Sequence, residues 1–459
     1  MTETMNKTNE RDDAQINTTL QQRQQQLLTK LQLDDAPAGG ALVVYQAGEC
    51  IARASVGLAR PEMAWQPQTL AINFSTGKGV LAALVHVLVS KQLLAYDVPI
   101  AQYWPAFAAN GKAHVTLRQV MSHQADLFAI TSIEADSEAV LDWSYMRKKV
   151  ADMTMTQPDQ ADAYDSAYSA LIYGWVLGGL VEVVTKMPLA QALSHYLTTP
   201  LGIADSCYFG VPDDKVDLVA TLAKDFDTDE MATPKLRQKR QKPTLKPDSA
   251  NTLFVYNHLP SVACWQQQAL QMQRSVAASG TDKGYHRQPA LTTAGISRLY
   301  FDTSHLNLKN YKSALIPAGK QPIDYYQRQT LQAVIPAANG VASAEALATI
   351  YAMLANGGVW QGQTLIDRAT FEQLSTPQVT GLDAVMPAPM HWRLGYHRLF
   401  SVCADTAAGF GHMGYNGSVA WCDPSRKLSF AFIHNFDTTM LNDVRQFALT
   451  EAVLALIAP

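Results

Sequence analysis

Two hairpin patterns, one near each end of the chain, constrain the fold more than any other feature. Ala41-Leu42-Val43-Val44-Tyr45 and residues 51–56 flank Ala47-Gly48-Glu49, and residues 419–422 and 428–433 flank Asp423-Pro424-Ser425. Apolar runs of this length bounded by turn residues read as paired strands. Little strand signal lies between them, so one sheet completed by both termini, with a mainly helical insertion of roughly residues 100–340, is the expected architecture. The fold class expected is therefore α+β: an antiparallel sheet flanked by helices, plus a mostly helical lobe. The expected division is a disordered polar tip at 1–13, a sheet domain from 14–100 and 340–459, and a helical lobe at 101–339. Helices are expected where Ile16, Leu20, Leu27, Leu28 and Leu31 share a face, with Gln21 to Gln26 on the solvated side, and over 167–184, 343–355 and 441–457. Periodicity is weak over 211–330.

A formal charge of −4 on 459 residues provides no general field for nucleic acid or an anionic membrane surface. Six basic residues crowd residues 235–246, but Asp225, Asp227, Asp229 and Glu230 lie just upstream, which suits an exposed charged loop. No apolar signal-peptide core follows the mixed-charge start, so a cytoplasmic protein is expected. Cys50, Cys207, Cys264, Cys403 and Cys422 are scattered and odd in number, without a CxxC pair, and free thiols are expected.

The chemistry concentrates at Ser75-Thr76-Gly77-Lys78, ahead of the apolar run 79–90. On a helix, positions three apart share a face, so the Lys78 amine can reach the Ser75 oxygen. Burial disfavours the charged amine, and a neutral amine can accept the serine proton. A phosphate-binding loop is excluded because Ile72 and Gly79 stand where it needs Gly and Ser or Thr. There is no HExxH zinc motif and no GxSxG elbow. Metal and cofactor are accordingly not expected. Two further segments fit a serine site. Tyr168 precedes a Gly-containing apolar run, and its hydroxyl beside a lysine ammonium ionises more readily and can relay a proton. Residues 409–418 carry four glycines just before a strand, suiting close approach of a substrate acyl group along a strand edge.

Taken in order, these segments resemble the serine β-lactamase and penicillin-binding-protein superfamily, and its family VIII carboxylesterase branch most. Residues 117–127, Pro200-Leu201-Gly202, Ala338-Asn339-Gly340 and residues 342–358 add to the likeness, which spans most of 40–457. The resemblance implies Ser75 as acylated nucleophile, Lys78 as its amine partner and Tyr168 as the second-motif tyrosine. It also implies His412-Met413-Gly414 in place of Lys-Thr-Gly, with His412 and Gly414 shaping the substrate strand and His412 as a donor. The backbone N–H groups of Ser75 and Tyr415 would form the oxyanion hole. Two departures favour esters over penicillins: Ala170 replaces an amide-binding asparagine, and His412 replaces a carboxylate-holding lysine. The implied function is hydrolysis of small carboxylic esters without a cofactor; no nucleic-acid or membrane partner is expected, and the oligomeric state is left open. Acyl transfer to an alcohol, or a β-lactamase- or DD-peptidase-like acyl-binding role, are the alternatives.

Overall fold

The computed structural model describes residues 18–34, 37–226, 249–278, 291–317 and 323–457. The tip at 1–13 and the basic run at 235–246 lie outside these residues. Six strands, β1 (Gly40–Gln46), β2 (Glu49–Val56), β3 (His397–Arg398), β4 (Phe410–Met413), β5 (Val419–Asp423) and β6 (Leu428–His434), form one antiparallel sheet in the order β3-β4-β5-β6-β1-β2. The two termini meet at its centre, where Gly40 stands opposite His434 and Gln46 opposite Leu428.

Strand side chains alternate between faces. Ala41, Val43 and Tyr45 join a core with the helices α2 (Gly77–Ser90), α3 (Ile172–Thr185) and α4 (Ala344–Ala355), whereas Leu42 and Val44 join a second core with α1 (Thr18–Lys30) and α5 (Arg445–Leu454). The sheet is thus covered on both faces, as expected. The helix foreseen over 441–457 forms only from Arg445 to Leu454.

Of the α1 glutamines, Gln22 and Gln26 are exposed as expected, whereas Gln24 is buried and Gln21 and Gln25 are only half-exposed. Gln21 and Gln25 reach the outer edge of β2: Arg53 N–H donates to Gln21 Oε1 at 2.6 Å, and Gln25 Nε2 donates to the Ser55 carbonyl at 2.8 Å. An open sheet edge presents unpaired backbone groups. Side-chain amides carry both donor and acceptor, so these two complete an edge that no further strand covers among the described residues.

The insertion is mainly helical, and the weakly periodic stretch holds Ala250–Asn257, Val262–Ala278, Thr293–Tyr300 and Leu308–Leu315. It also contributes to a small sheet that pattern reading passed over, built from Ala71–Ile72, Val341–Ala342 and Cys207–Tyr208. Two-residue strands have no periodicity to detect. Among the described residues no single helix is long and apolar enough to cross a membrane.

Five free thiols were expected, but Cys264 and Cys403 form a disulfide across 139 residues, with Cα atoms 5.8 Å apart. Only the fold brings them together. Cys50, Cys207 and Cys422 are buried thiols outside that bond. A disulfide is more at home in an oxidising compartment, so the cysteines do not support a cytoplasmic reading. Alkylation under denaturing, non-reducing conditions should label three of the five cysteines, Cys50, Cys207 and Cys422; labelling of all five would exclude the bond.

Helix α2 packs closely on α4 at Gly79, where an added Cβ would lie 2.1 Å from the Tyr351 hydroxyl. Overpacking of this kind costs about 1–3 kcal/mol. Gly79→Ala should lower stability by that amount in denaturant unfolding, and Tyr351→Phe in the same chain should recover part of it by removing the clashing oxygen.

Candidate active site

Ser75 sits in a tight turn, Phe74–Thr76, that runs directly into α2. Phe74 has φ 47°, in the left-handed region that side chains other than glycine seldom adopt. Aromatic neighbours hold it there: its ring meets Tyr325 at 5.4 Å and Tyr415 at 6.0 Å. Thr76 Oγ1 donates to the Ser418 carbonyl at 3.0 Å, tying the turn to the start of β5. The Ser75 N–H lies among the first donors of a helical segment, which have no acceptor within their own helix.

Lys78, one turn further on, is fully buried, and its Nζ lies 2.8 Å from Ser75 Oγ. The same nitrogen donates to the Ala337 carbonyl at 2.7 Å. Burial holds the Lys78 amine well below the ordinary lysine value. Neutral, it keeps an N–H for Ala337 and a lone pair that can face the serine.

Tyr168 lies over this pair, with Lys78 Nζ 5.0 Å from its ring centre, and its hydroxyl is near enough to the Ser75 side chain to feel its polarity. The expected helix over 167–184 begins only at Ile172. The reason is local: Ala167 N–H goes to the His123 carbonyl, Tyr168 N–H to Asp383 Oδ1 and Ser169 N–H to His123 Nδ1. Backbone donors used this way are withdrawn from helical bonding. A second expectation also changes. Burial raises the Tyr168 pKa, and the Ser75 side chain offsets only part of that. Beside a neutral lysine the tyrosine remains a phenol, a proton donor at neutral pH.

At the end of β4, Gly414 packs against the Ser75 turn, where a Cβ would fall 2.5 Å from the Asn73 carbonyl oxygen. This brings Tyr415 beside Phe74 at the rim. His412 is buried, and its Nδ1 lies 3.0 Å from the Met413 carbonyl. A carbonyl only accepts, so Nδ1 carries the proton and Nε2, which has no partner among the described residues, presents a lone pair. Burial keeps the ring neutral. His412 thus offers an acceptor where a donor was expected. The strand edge differs too: β3 pairs with β4, and Met413 N–H donates to His397 Nε2 at 2.9 Å, so this stretch is already occupied.

Ser75, Tyr168, His412 and Tyr415 line one cavity of about 450 Å³, while Lys78 lies beneath its floor and Gly414 behind its wall. Ala170 also faces it. The walls include Leu315, Ile316, Met386, Met390 and Trp392. Among the described residues that line it, Lys224 is the only lysine or arginine, and it is paired with Asp437 at 2.7 Å; Asp225 and Asp324 add negative charge.

Sequence reading missed several groups around the site: the Ala337 carbonyl, His397, Trp392 and the buried Asp383. Trp392 stacks on Tyr168 with ring centres 5.4 Å apart and planes 8° from parallel. None of the four lies in a motif; a backbone carbonyl leaves no trace in residue identity at all.

A serine at the head of a buried helix, a desolvated lysine one turn on and a tyrosine over both, beside a sheet built from the termini, define a hydrolase of the esterase and β-lactamase fold. The Beta-lactamase family profile matches residues 20–454, and the chain belongs to that family. It is 29% identical over 400 residues, 86% of this chain and 77% of the relative, to Esterase/beta-lactamase LipL of Mycobacterium tuberculosis. Its fold superposes on a penicillin-binding protein homolog from Caulobacter crescentus with a TM-score of 0.69, at 26% identity over 94% of this chain and 96% of that one. A family VIII carboxylesterase gives a TM-score of 0.66 at 21% identity, over 94% and 96% of the two chains, a likeness of fold.

Because a Cβ at residue 414 meets backbone and not a flexible side-chain tip, Gly414→Ala should push Tyr415 away from the Ser75 turn. Misplacement of about 1 Å costs roughly 10²-fold in rate. Turnover of a p-nitrophenyl ester by the folded variant should fall by that order; an unchanged rate would mean that the β4 end plays no part.

Proposed function

We propose that this protein is a serine carboxylesterase acting through an acyl-enzyme on Ser75. The observation that carries the proposal is the fully buried Lys78 amine, 2.8 Å from Ser75 Oγ at the floor of an apolar cavity. Ser75 Oγ attacks the ester carbonyl carbon while its proton passes to Lys78 Nζ. The carbonyl oxygen, now an oxyanion, is held by the N–H groups of Ser75 and Tyr415, donors typically worth about 3 kcal/mol each to the transition state. As the C–O bond of the ester breaks, the leaving alkoxide takes the Tyr168 phenolic proton, and Tyr168 regains a proton from Lys78. Water then attacks the acyl carbon by the same route in reverse, releasing the acid and restoring Ser75. An alcohol in place of water would give acyl transfer, and product analysis with added alcohol distinguishes the two.

Charge argues for esters over β-lactams. A penicillin brings a carboxylate, but among the described lining residues the one lysine or arginine, Lys224, is committed to Asp437, and His412 is neutral, so neither holds an anion. Catalytic efficiency on neutral short-chain esters should exceed that on penicillins and cephalosporins by orders of magnitude. Parity between the classes would contradict this reading of the cavity.

Ser75→Ala should abolish ester turnover with the fold intact. Tyr168→Phe keeps the ring stacked on Trp392 but removes the transferable proton, and general acid–base contributions run at about 10²–10⁴-fold. Turnover should fall by that order with far less change in substrate binding. Tyr173→Phe serves as control, since Tyr173 is buried and its hydroxyl has no hydrogen-bond partner among the described residues. Equal, modest losses at both positions would assign Tyr168 to packing alone.

A further inference from the structure

One carboxylate gathers an unusual number of donors next to this site. Asp383 is 3% exposed and accepts from the Ser166 hydroxyl at 2.7 Å, the Tyr168 N–H at 3.3 Å and the Trp392 indole N–H at 2.9 Å. It also takes the N–H groups of Val385 and Met386, both at 2.9 Å. Burial raises the Asp383 pKa and these donors offset only part of that, but they give the carboxyl group a defined orientation.

The donors come from three places that matter to Tyr168. Its own backbone is held directly. Trp392, on which its ring lies flat, is fixed through the indole nitrogen. The loop carrying Asp383 is clipped alongside the tyrosine segment, with Ala384 N–H donating to the Ser166 carbonyl at 2.8 Å and Asp165 N–H to the Leu382 carbonyl at 3.0 Å. That clip is close enough that a Cβ at Gly381 would overlap the Asp165 carboxylate. Tyr168 stands outside helical geometry, so its placement is not inherited from α3 and comes from these contacts together with those of His123 to Ala167 and Ser169.

We propose that Asp383 is the positioning residue of the site: it sets the Tyr168 hydroxyl over Ser75 by holding both the tyrosine backbone and the tryptophan against its ring face. It touches neither substrate nor the reacting atoms. The inference rests on the proton-donating role of Tyr168 proposed above. The negative charge of Asp383 acts in the same direction, since a nearby anion opposes ionisation of the phenol.

Asp383→Asn preserves volume but turns one acceptor oxygen into an NH₂ group that faces a donor. The folded variant should lose roughly 10- to 100-fold in kcat on a p-nitrophenyl ester, with KM changed by no more than a few-fold. The decisive measurement repeats the substitution in a Tyr168→Phe chain. If Asp383 acts through the Tyr168 hydroxyl, the second substitution should cost almost nothing further there, because groups acting as a unit are not additive. A loss of the same size in both backgrounds would overturn the inference and assign Asp383 to general packing, as would near wild-type kcat in Asp383→Asn. Should Asp383→Asn fail to fold, Trp392→Phe, which keeps a ring and removes the indole N–H, is carried through the same two backgrounds with the same criterion. A Tyr168→Phe chain with nearly wild-type activity would overturn the role of Tyr168 and this inference together; an impaired Tyr168→Phe with additive losses overturns only the inference.

Discussion

The removal of one amine from water organises this molecule's chemistry. Lys78 is carried inside by its own helix: Val80, Leu81, Leu84, Val85 and Leu88 are fully buried along it, and each buried side chain of this size stabilises the fold by roughly 1.5–3 kcal/mol. Burying an ammonium would cost several kcal/mol. The sum of the first outweighs the second, so the helix stays buried and the lysine sheds its proton instead. Once neutral, the amine is confined between Ser75 Oγ and the Ala337 carbonyl. A group adapted to hold a proton becomes one adapted to take it.

The other groups follow from that neutrality. With no cation beneath it, Tyr168 has nothing to stabilise a phenolate and remains a donor, complementary to a lysine that accepts. His412, His123 and His397 crowd the same region, and burial keeps each of them neutral as well. This scarcity of positive charge near the nucleophile is what the proposed preference for neutral esters rests on. The family likeness, which embraces penicillin-binding proteins and esterases alike, does not itself choose between substrates; the ester preference proposed above rests on the charge of the cavity.

Much of this was legible in the residue order. The paired hairpins gave the termini to one sheet because strand alternation and turn residues are local signals, and β1 and β6 do meet at its centre. Ser75 and Lys78 could be paired from spacing alone, since a helix converts a three-residue interval into contact. What escaped was whatever depends on contact across the chain. Tyr168 lies outside the helix because His123 and Asp383, 45 residues before and 215 after, take backbone donors from its segment. The tautomer of His412 is set by a carbonyl, and the Cys264–Cys403 bond by proximity across 139 residues. In α1, glutamines that read as solvated turn out to close a sheet edge, because an amide side chain suits water and backbone equally.

The central claim, that a desolvated neutral Lys78 activates Ser75, is tested most directly by the pH dependence of fluorophosphonate labelling, with the modified peptide mapped. The reactive form has Lys78 unprotonated, so labelling is full above its folded-state pKa and lost as pH falls through it. The account predicts a label on Ser75 and an acid limb well below the ordinary lysine value of 10.5. A label on another residue, or a rate already falling near that ordinary value, would contradict it.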